Sequence, residues 1–446
     1  MEEQKLAPDV GALLGAHGLT PGASEWNPVE EALYAADPFA RSDEEASALL
    51  FNAVRASFDY QFEHNAFYRR YCETAGFFPA DLAGPRDMHR IPLVPERIFK
   101  SSPGAEDFLA WIASISSDEI TWPGSDLRGS YDEQIAILRE QFGVLVRTTS
   151  GSSGVPSFLP REETTRRRSA HWKILSYHAM YPDVLSSDLI SVTLWPLEFS
   201  WADLVAPPER VHALLDKKLG LETVIRAMTA GSTGGTFARL IGRSPRRGGE
   251  LLGSLARRLS ELAEGARGVL WIPPFLLYAL ARFAVDAKIK IPMDSRWTIE
   301  LAGGWKLVGE APVSDTELYA LASEAFGVVP EKIHDLYGLT ECLGLVGLSC
   351  EGGFKHVPPA TLYPLVLDEK MASAPEGAWG RFAFLNPLIR AYPGFIVTGD
   401  RVRLRRSCPA CPRKGPVLDA FVSRLPEAEE RGCANIVRQL IAERLG

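Results

Sequence analysis

Apolar and aromatic side chains recur every three or four positions through residues 44–76 (EEASALLFNAVRASFDYQFEHNAFYRRYCETAG), a spacing that predicts helix, with Gly76 placed to end it. Residues 141–147 (QFGVLVR) read as a strand that runs directly into a loop of serine, threonine and glycine, and a helix-like stretch follows from about Arg161 to His178. The middle of the chain alternates. A strand at Gly268–Ile272 is followed by a helix over 274–287, a strand at Trp297–Leu301 and a further helix. That last helix opens on a capping box, Ser314 with Glu317, and continues with Leu318, Leu321 and Phe326. A short stretch at 332–337 comes next. Alternation of this kind predicts an α/β fold with mainly parallel sheets flanked by helices. In such sheets ligands gather beyond the carboxyl ends of the strands, and two conspicuous loops fall there: Gly303-Gly304-Trp305-Lys306 and Gly338-Leu339-Thr340-Glu341.

Composition excludes several classes. A chain of 446 residues allows a large core and more than one structural unit. With 46% apolar and 23% charged residues, neither disorder nor a fibrous architecture is favoured. The 56 acidic against 48 basic residues leave a net charge of -8, which argues against nucleic acid as the main partner. The longest uncharged apolar stretch, 269–281, contains Pro273 and Pro274 and is too short for a bilayer helix, so it reads as core and no membrane span is expected. The acidic start MEEQKLAPDV lacks the features of a secretory signal, and a cytoplasmic location is expected. Six cysteines in such a chain point to metal binding or thiol chemistry rather than to disulfides. Cys72 and Cys342 read as packing residues.

Three motifs carry the candidate chemistry. The loop Thr148-Thr149-Ser150-Gly151-Ser152-Ser153-Gly154 offers hydroxyls and close-approaching amides that can surround phosphate oxygens. It is not a Walker loop, since no Gly-Lys-[Ser/Thr] follows; taken alone, it is equally a polar surface loop. Tyr337-Gly338-Leu339-Thr340-Glu341 sets a hydroxyl and a carboxylate after a strand, where Glu341 can ligate an Mg²⁺ that bridges nucleotide phosphates. A helix cap with a dipole-compensating glutamate explains the same residues. Thr398-Gly399-Asp400 reads as a tight turn whose carboxylate can accept hydrogen bonds from ribose hydroxyls.

The order TTSGSSG, YGLTE, TGD is that of the acyl-adenylate-forming superfamily. The chain resembles the branch containing LuxE-like acyl-protein synthetases and, more distantly, phenylacetate-CoA ligases. Nearly the whole chain takes part: QFEHNAFYRRYC and IPLVPERIFK resemble the LuxE-like N-terminal region, and LAGGWK resembles the adenine-side glycine loop. The resemblance implies ATP and Mg²⁺ as cofactors, Gly303 and Gly304 bordering the base, and a large multi-lobed adenylate-forming fold. It suggests a helical N-terminal region at 1–140, a nucleotide- and acyl-binding core at 141–400, and a zinc-associated segment with a truncated C-terminal lobe at 401–446. Two departures stand out. The lysine usual just after the phosphate loop is absent from Val155-Pro156-Ser157, and only 46 residues follow Asp400, too few for the customary lobe with its catalytic lysine. Lys306 is the motif-borne alternative for stabilising charge at the α-phosphate, with a plain surface lysine equally weighted.

Cys350 and His356 with the pair Cys408-x2-Cys411 supply four ligands, the number a closed tetrahedral Zn²⁺ site needs; phenylacetate-CoA ligase-like proteins carry a similar arrangement. Residues 434–445 have one apolar face of a short helix, which places Cys433 at its N-terminus, where a thiol pKa falls. Arg431 would help that shift and Glu427, Glu429 and Glu430 would oppose it. Arg431-Gly432-Cys433 matches the setting of the reactive cysteine of LuxE-like proteins, and the resemblance implies that Cys433 takes the acyl group from acyl-AMP. The expected activity is therefore adenylation of a carboxylic acid, fatty or aryl, then transfer to Cys433 and on to a reductase, a carrier protein or CoA. An acid-CoA ligase, in which Cys433 is incidental, is the nearest alternative; a non-catalytic zinc-stabilised scaffold is the alternative from another class.

Overall fold

The computed structural model describes residues 14–15, 27–35, 38–100, 108–117, 129–148, 157–184, 188–194, 201–206, 208–215, 245–303 and 313–425. The strands in chain order are β1 (Val94–Pro95), β2 (Leu145–Thr148), β3 (Phe158–Arg161), β4 (Ile190–Thr193), β5 (Val211–Ala213), β6 (Gly268–Ile272), β7 (Trp297–Leu301) and β8 (Ile333–Tyr337). They continue with β9 (Gly347–Ser349), β10 (Lys355–His356), β11 (Tyr363–Leu367), β12 (Trp379–Leu385), β13 (Phe395–Arg405), β14 (Val417–Leu418) and β15 (Ser423–Arg424). The chain forms two compact units. Of the described residues, those within 14–148, 157–180 and 338–425 form one and those within 181–337 the other.

In the second unit, β8, β7, β6, β4 and β5 lie side by side, all parallel. Every residue of β6 and β7 is buried, as expected for strands covered on both faces. The helices Pro274–Asp286 and Asp315–Phe326 occupy the predicted places between them, and the Ser314 hydroxyl accepts from Glu317 N at 3.2 Å. Gly268 has no room for a side chain. A Cβ there would come within 2.5 Å of the Trp297 ring.

The first unit is built differently. Its strands run β11-β12-β13-β14-β10-β9, every neighbouring pair antiparallel, with β1 added parallel and β15 antiparallel along β13. The parallel arrangement read from the sequence thus belongs, among the described residues, chiefly to the second unit. The predicted N-terminal helix is two, Asp43–His64 and Ala66–Ala75. Asn65 divides them because its side chain accepts from Tyr68 N at 2.8 Å and donates to Ile115 O at 3.0 Å, which competes with the helical backbone. Gly76 ends the second helix in the left-handed conformation, φ 67°.

Two further expectations change. Residues 141–142 finish the helix Tyr131–Phe142, which a Ser130–Glu133 capping box starts and left-handed Gly143 stops, so the strand begins only at Leu145. Thr398, Gly399 and Asp400 are no turn: they lie inside the long strand β13. Asp400 N donates to the Thr398 hydroxyl at 3.1 Å where the pairing with β12 shifts register and leaves the three residues without a β12 partner, while Asp400 pairs with Arg424 of β15. Among the described residues no helix is long and apolar enough to cross a membrane.

Candidate functional site

Beyond the carboxyl end of β8, Thr340–Cys342 forms one tight 3-10 turn, closed by Leu343 in the left-handed conformation. The turn is too short to be the helix start that the alternative reading required. Glu341 is buried, 4% exposed, and its Oε1 accepts from the Ser157 hydroxyl at 3.0 Å. Arg161, at the end of β3, donates from Nη2 to Thr340 O at 2.8 Å. Tyr392 donates its hydroxyl to Glu341 O at 3.2 Å, and the Asn386 amide lies against the Cys342 sulfur at 3.4 Å. The loop carrying Tyr392 is itself held by Gln61, whose amide donates to Arg390 O at 2.9 Å and Tyr392 O at 3.1 Å. A chain of buried polar contacts therefore runs from the N-terminal helix to the Glu341 turn.

Burial sets the electrostatics. Desolvation lowers the Arg161 pKa, opposed by Tyr392, Glu341 and Cys342 in that order. Desolvation likewise pushes the Tyr392 hydroxyl and the Cys342 thiol up, so both stay protonated at neutral pH. Cys72 is also buried and pushed up to about 12, so it and Cys342 act as packing residues. None of Ser157, Arg161 or Tyr392 was marked by the sequence motifs. The available signal for Arg161 was a lone charge closing a strand whose four residues, FLPR, are all buried.

Of the other expected nucleotide residues, Thr148 ends β2 opposite Phe158 of β3 and is buried. Tyr337 ends β8, Gly338 follows it, and Gly303, just past β7, adopts φ 87°, which favours glycine. Asp400 is tied to Arg424, Oδ1 to Nε at 3.0 Å, and Glu96 flanks the same guanidinium at 3.5 Å. Thr149, Ser150, Gly151, Ser152, Ser153, Gly154, Gly304, Lys306, Cys433 and the helix expected at 434–445 lie outside the described residues.

The Cys/His set converges. Cys350 follows β9, His356 lies on β10, and Cys408 and Cys411 sit in the connection from β13 to β14; β14 pairs with both β10 and β13, which draws the two halves together. The ligand atoms of Cys350, His356, Cys408 and Cys411 all lie within 4.8 Å of one another. Cys350 Sγ and Cys408 Sγ are 3.8 Å apart, and Cys411 Sγ is 3.1 Å from His356 Nε2. Two thiolates on one tetrahedral Zn²⁺ at about 2.3 Å would be about 3.8 Å apart, so the donors present fit that ion. Gly352 permits the approach: a Cβ there would sit 2.3 Å from the Ala410 Cβ. Burial pushes the Cys350 thiol up to about 12. Cys411 is held low, because donors from Arg413, with Cys408 and Cys350, outweigh the opposing effect of burial. Burial, helped by Arg413, lowers His356 to about 4, which keeps its ring neutral and able to ligate.

The fold is that of the adenylate-forming ligases: 2-hydroxyisobutyryl-CoA ligase in its postadenylation state superposes with TM-score 0.58 over 92% of this chain and 74% of its own, at 15% identity. The same ligase in its thioesterification state gives TM-score 0.58 over 91% and 74%, at 16% identity. The sequence model of the LuxE acyl-protein synthetase family matches residues 23–121 and 250–442, and the chain belongs to that family. It is accordingly an acyl-adenylate-forming ligase, a class that uses ATP and Mg²⁺. Two relatives are each called "Long-chain-fatty-acid--luciferin-component ligase". The Vibrio harveyi protein is 21% identical over 420 residues, 91% of this chain and 92% of that one. The Aliivibrio fischeri protein is 27% identical over 175 residues, 39% of this chain and 46% of that one, so the match spans less than half of that relative.

Proposed function

We propose that the chain activates a long-chain fatty acid with Mg-ATP and passes the acyl group to its own Cys433. The acid's carboxylate oxygen attacks the α-phosphorus, the bond to the β-phosphate breaks, and pyrophosphate leaves. The Cys433 thiolate then attacks the carbonyl carbon of acyl-AMP, and AMP departs as the carbon–oxygen bond breaks, leaving a thioester. The observation that carries the reading is the buried, hydrogen-bonded Glu341 carboxylate on a preformed turn at a strand's carboxyl end. A hard carboxylate oxygen is the donor type that Mg²⁺ prefers. The chain-length class follows the names of the two relatives.

The remaining assignments belong to the same reading. Thr148 to Gly154 hold the phosphates through hydroxyls and amides, Gly303, Gly304, Tyr337, Gly338 and Thr340 border the nucleotide, and Asp400, fixed by Arg424, accepts from ribose. Lys306 stabilises charge at the α-phosphate. Cys350, His356, Cys408 and Cys411 hold a structural Zn²⁺, whose role is to join the β9–β10 hairpin to the connection after β13. The acyl thioester goes on to an acceptor such as a reductase. ATP–pyrophosphate exchange across an acid panel, with intact mass measurement after turnover, tests the proposal. Cys433→Ser is expected to keep exchange and lose the covalent acyl adduct; acyl-CoA formation by that variant would instead identify a CoA ligase.

A further inference from the structure

Ser157, just before β3, and Arg161, its last residue, both reach the Thr340–Cys342 turn. Ser157 is 0% exposed and Arg161 6%. A buried guanidinium is costly, and replacing a buried charge by an apolar residue of similar size is often neutral or stabilising. Arg161 is also incompletely satisfied: its buried Nε–H has no hydrogen-bond partner. Stability is therefore a poor account of an arginine at this place. Its charge acts on Glu341, and the segment between the phosphate loop and β3, Val155-Pro156-Ser157, contains no cation of its own.

We infer that Arg161 is a positioning residue of the metal–nucleotide centre: it holds the Thr340–Cys342 turn and supplies the countercharge that fixes the Glu341 carboxylate for a divalent cation. The inference rests on Glu341 being the metal ligand. Ser157 aims one carboxylate oxygen; Arg161 fixes the backbone one residue earlier and offsets the charge. In this arrangement the positive charge absent after the phosphate loop comes from the far end of the adjoining strand, acting through Glu341 rather than on phosphate. Arginine suits the task because its planar fork serves a carbonyl oxygen and neighbouring groups together, which a lysine ammonium does less well.

The test is Mn²⁺ titration of the full chain with a non-hydrolysable ATP analogue, followed by electron paramagnetic resonance, alongside thermal unfolding. Wild type, Glu341→Gln, Arg161→Gln, Arg161→Lys and the double variant Arg161→Gln/Glu341→Gln are compared. Arg161→Gln, which keeps a donor for Thr340 O but no charge, is expected to weaken Mn²⁺ about tenfold, the scale of a lost charge-assisted interaction. Arg161→Lys falls between it and wild type, and the double variant is no weaker than Glu341→Gln alone. Equal Mn²⁺ affinities in wild type and the folded Arg161 variants, with Glu341→Gln impaired, would overturn the inference while leaving the metal reading intact. Wild-type affinity in Glu341→Gln would remove both. A lower melting temperature with unchanged affinity would make Arg161 a packing residue only.

Discussion

The Cys/His cluster, with Cys350 and His356 buried and Cys408 and Cys411 half-buried, and the buried Glu341 turn both lie in the first unit and are balanced in opposite ways. At the cluster, three thiols and an imidazole converge to within 4.8 Å, a donor set of the kind that suits a borderline cation such as Zn²⁺. At the turn, the Glu341 carboxylate already has the Ser157 hydroxyl and the field of Arg161. We therefore expect the first arrangement to depend on a bound ion and the second to keep its shape through protein contacts. Loss of metal should therefore cost structure at one and chemistry at the other.

The largest effect should come from the cluster. Cys408→Ser or Cys411→Ser is expected to abolish zinc binding and to leave the first unit aggregation-prone or unfolded, since structural zinc contributes on the order of 10 kcal/mol to small sites. Elemental analysis and thermal unfolding check it; a zinc-free variant melting like wild type would break the contrast. Next is Glu341→Gln, expected to lower pyrophosphate exchange by about 10²–10³, the scale of losing one electrostatic element of an active site, with the melting temperature little changed. A large fall in melting temperature would show that the turn, too, is structural. Cys433→Ser follows, with no acyl adduct by mass and exchange retained.

The smallest effect is at Asp419, which Arg403 and Arg405 clamp beside β14. Burial works against its charge, but these two arginines outweigh it and hold the carboxyl below the usual range. A folded pKa below the unfolded one means the pair stabilises above the unfolded value, near 4, and that this contribution is lost as pH falls through the folded value. Both arginines are about a third exposed, so screening limits the gain to about 1 kcal/mol or less. Asp419→Asn should lower the melting temperature slightly at pH 7, by an amount that shrinks as the pH falls below the usual carboxylate range. A large loss would show that ion pairs, and not the metal, carry the frame around β10 and β14.

The two units were unequally legible. β6 and β7 are short apolar runs between helices, and their bounds could be read from pattern alone. The antiparallel strands β9 to β15 could not, because several are only two or three residues long and gain their pairing from residues far along the chain. The cluster was legible as a ligand set because cysteine and histidine are rare and chemically specific. Glu341 was legible from YGLTE, but its supports were not: Ser157 and Arg161 are 184 and 179 residues from their partners, and Asn65 splits a run that keeps helical periodicity throughout. Thr398-Gly399-Asp400 misled because turn-forming residue types sit at a register shift inside a long strand, whose pairing before and after them keeps the chain extended.

ATP–pyrophosphate exchange by the zinc-loaded chain across fatty acids of increasing length, wild type against Glu341→Gln, tests the account most directly. The prediction is acid-dependent exchange in wild type that is strongest with long-chain acids and falls by about two orders of magnitude or more in Glu341→Gln. Absence of exchange with every acid in folded, zinc-loaded protein, or equal exchange in the two chains, would contradict it.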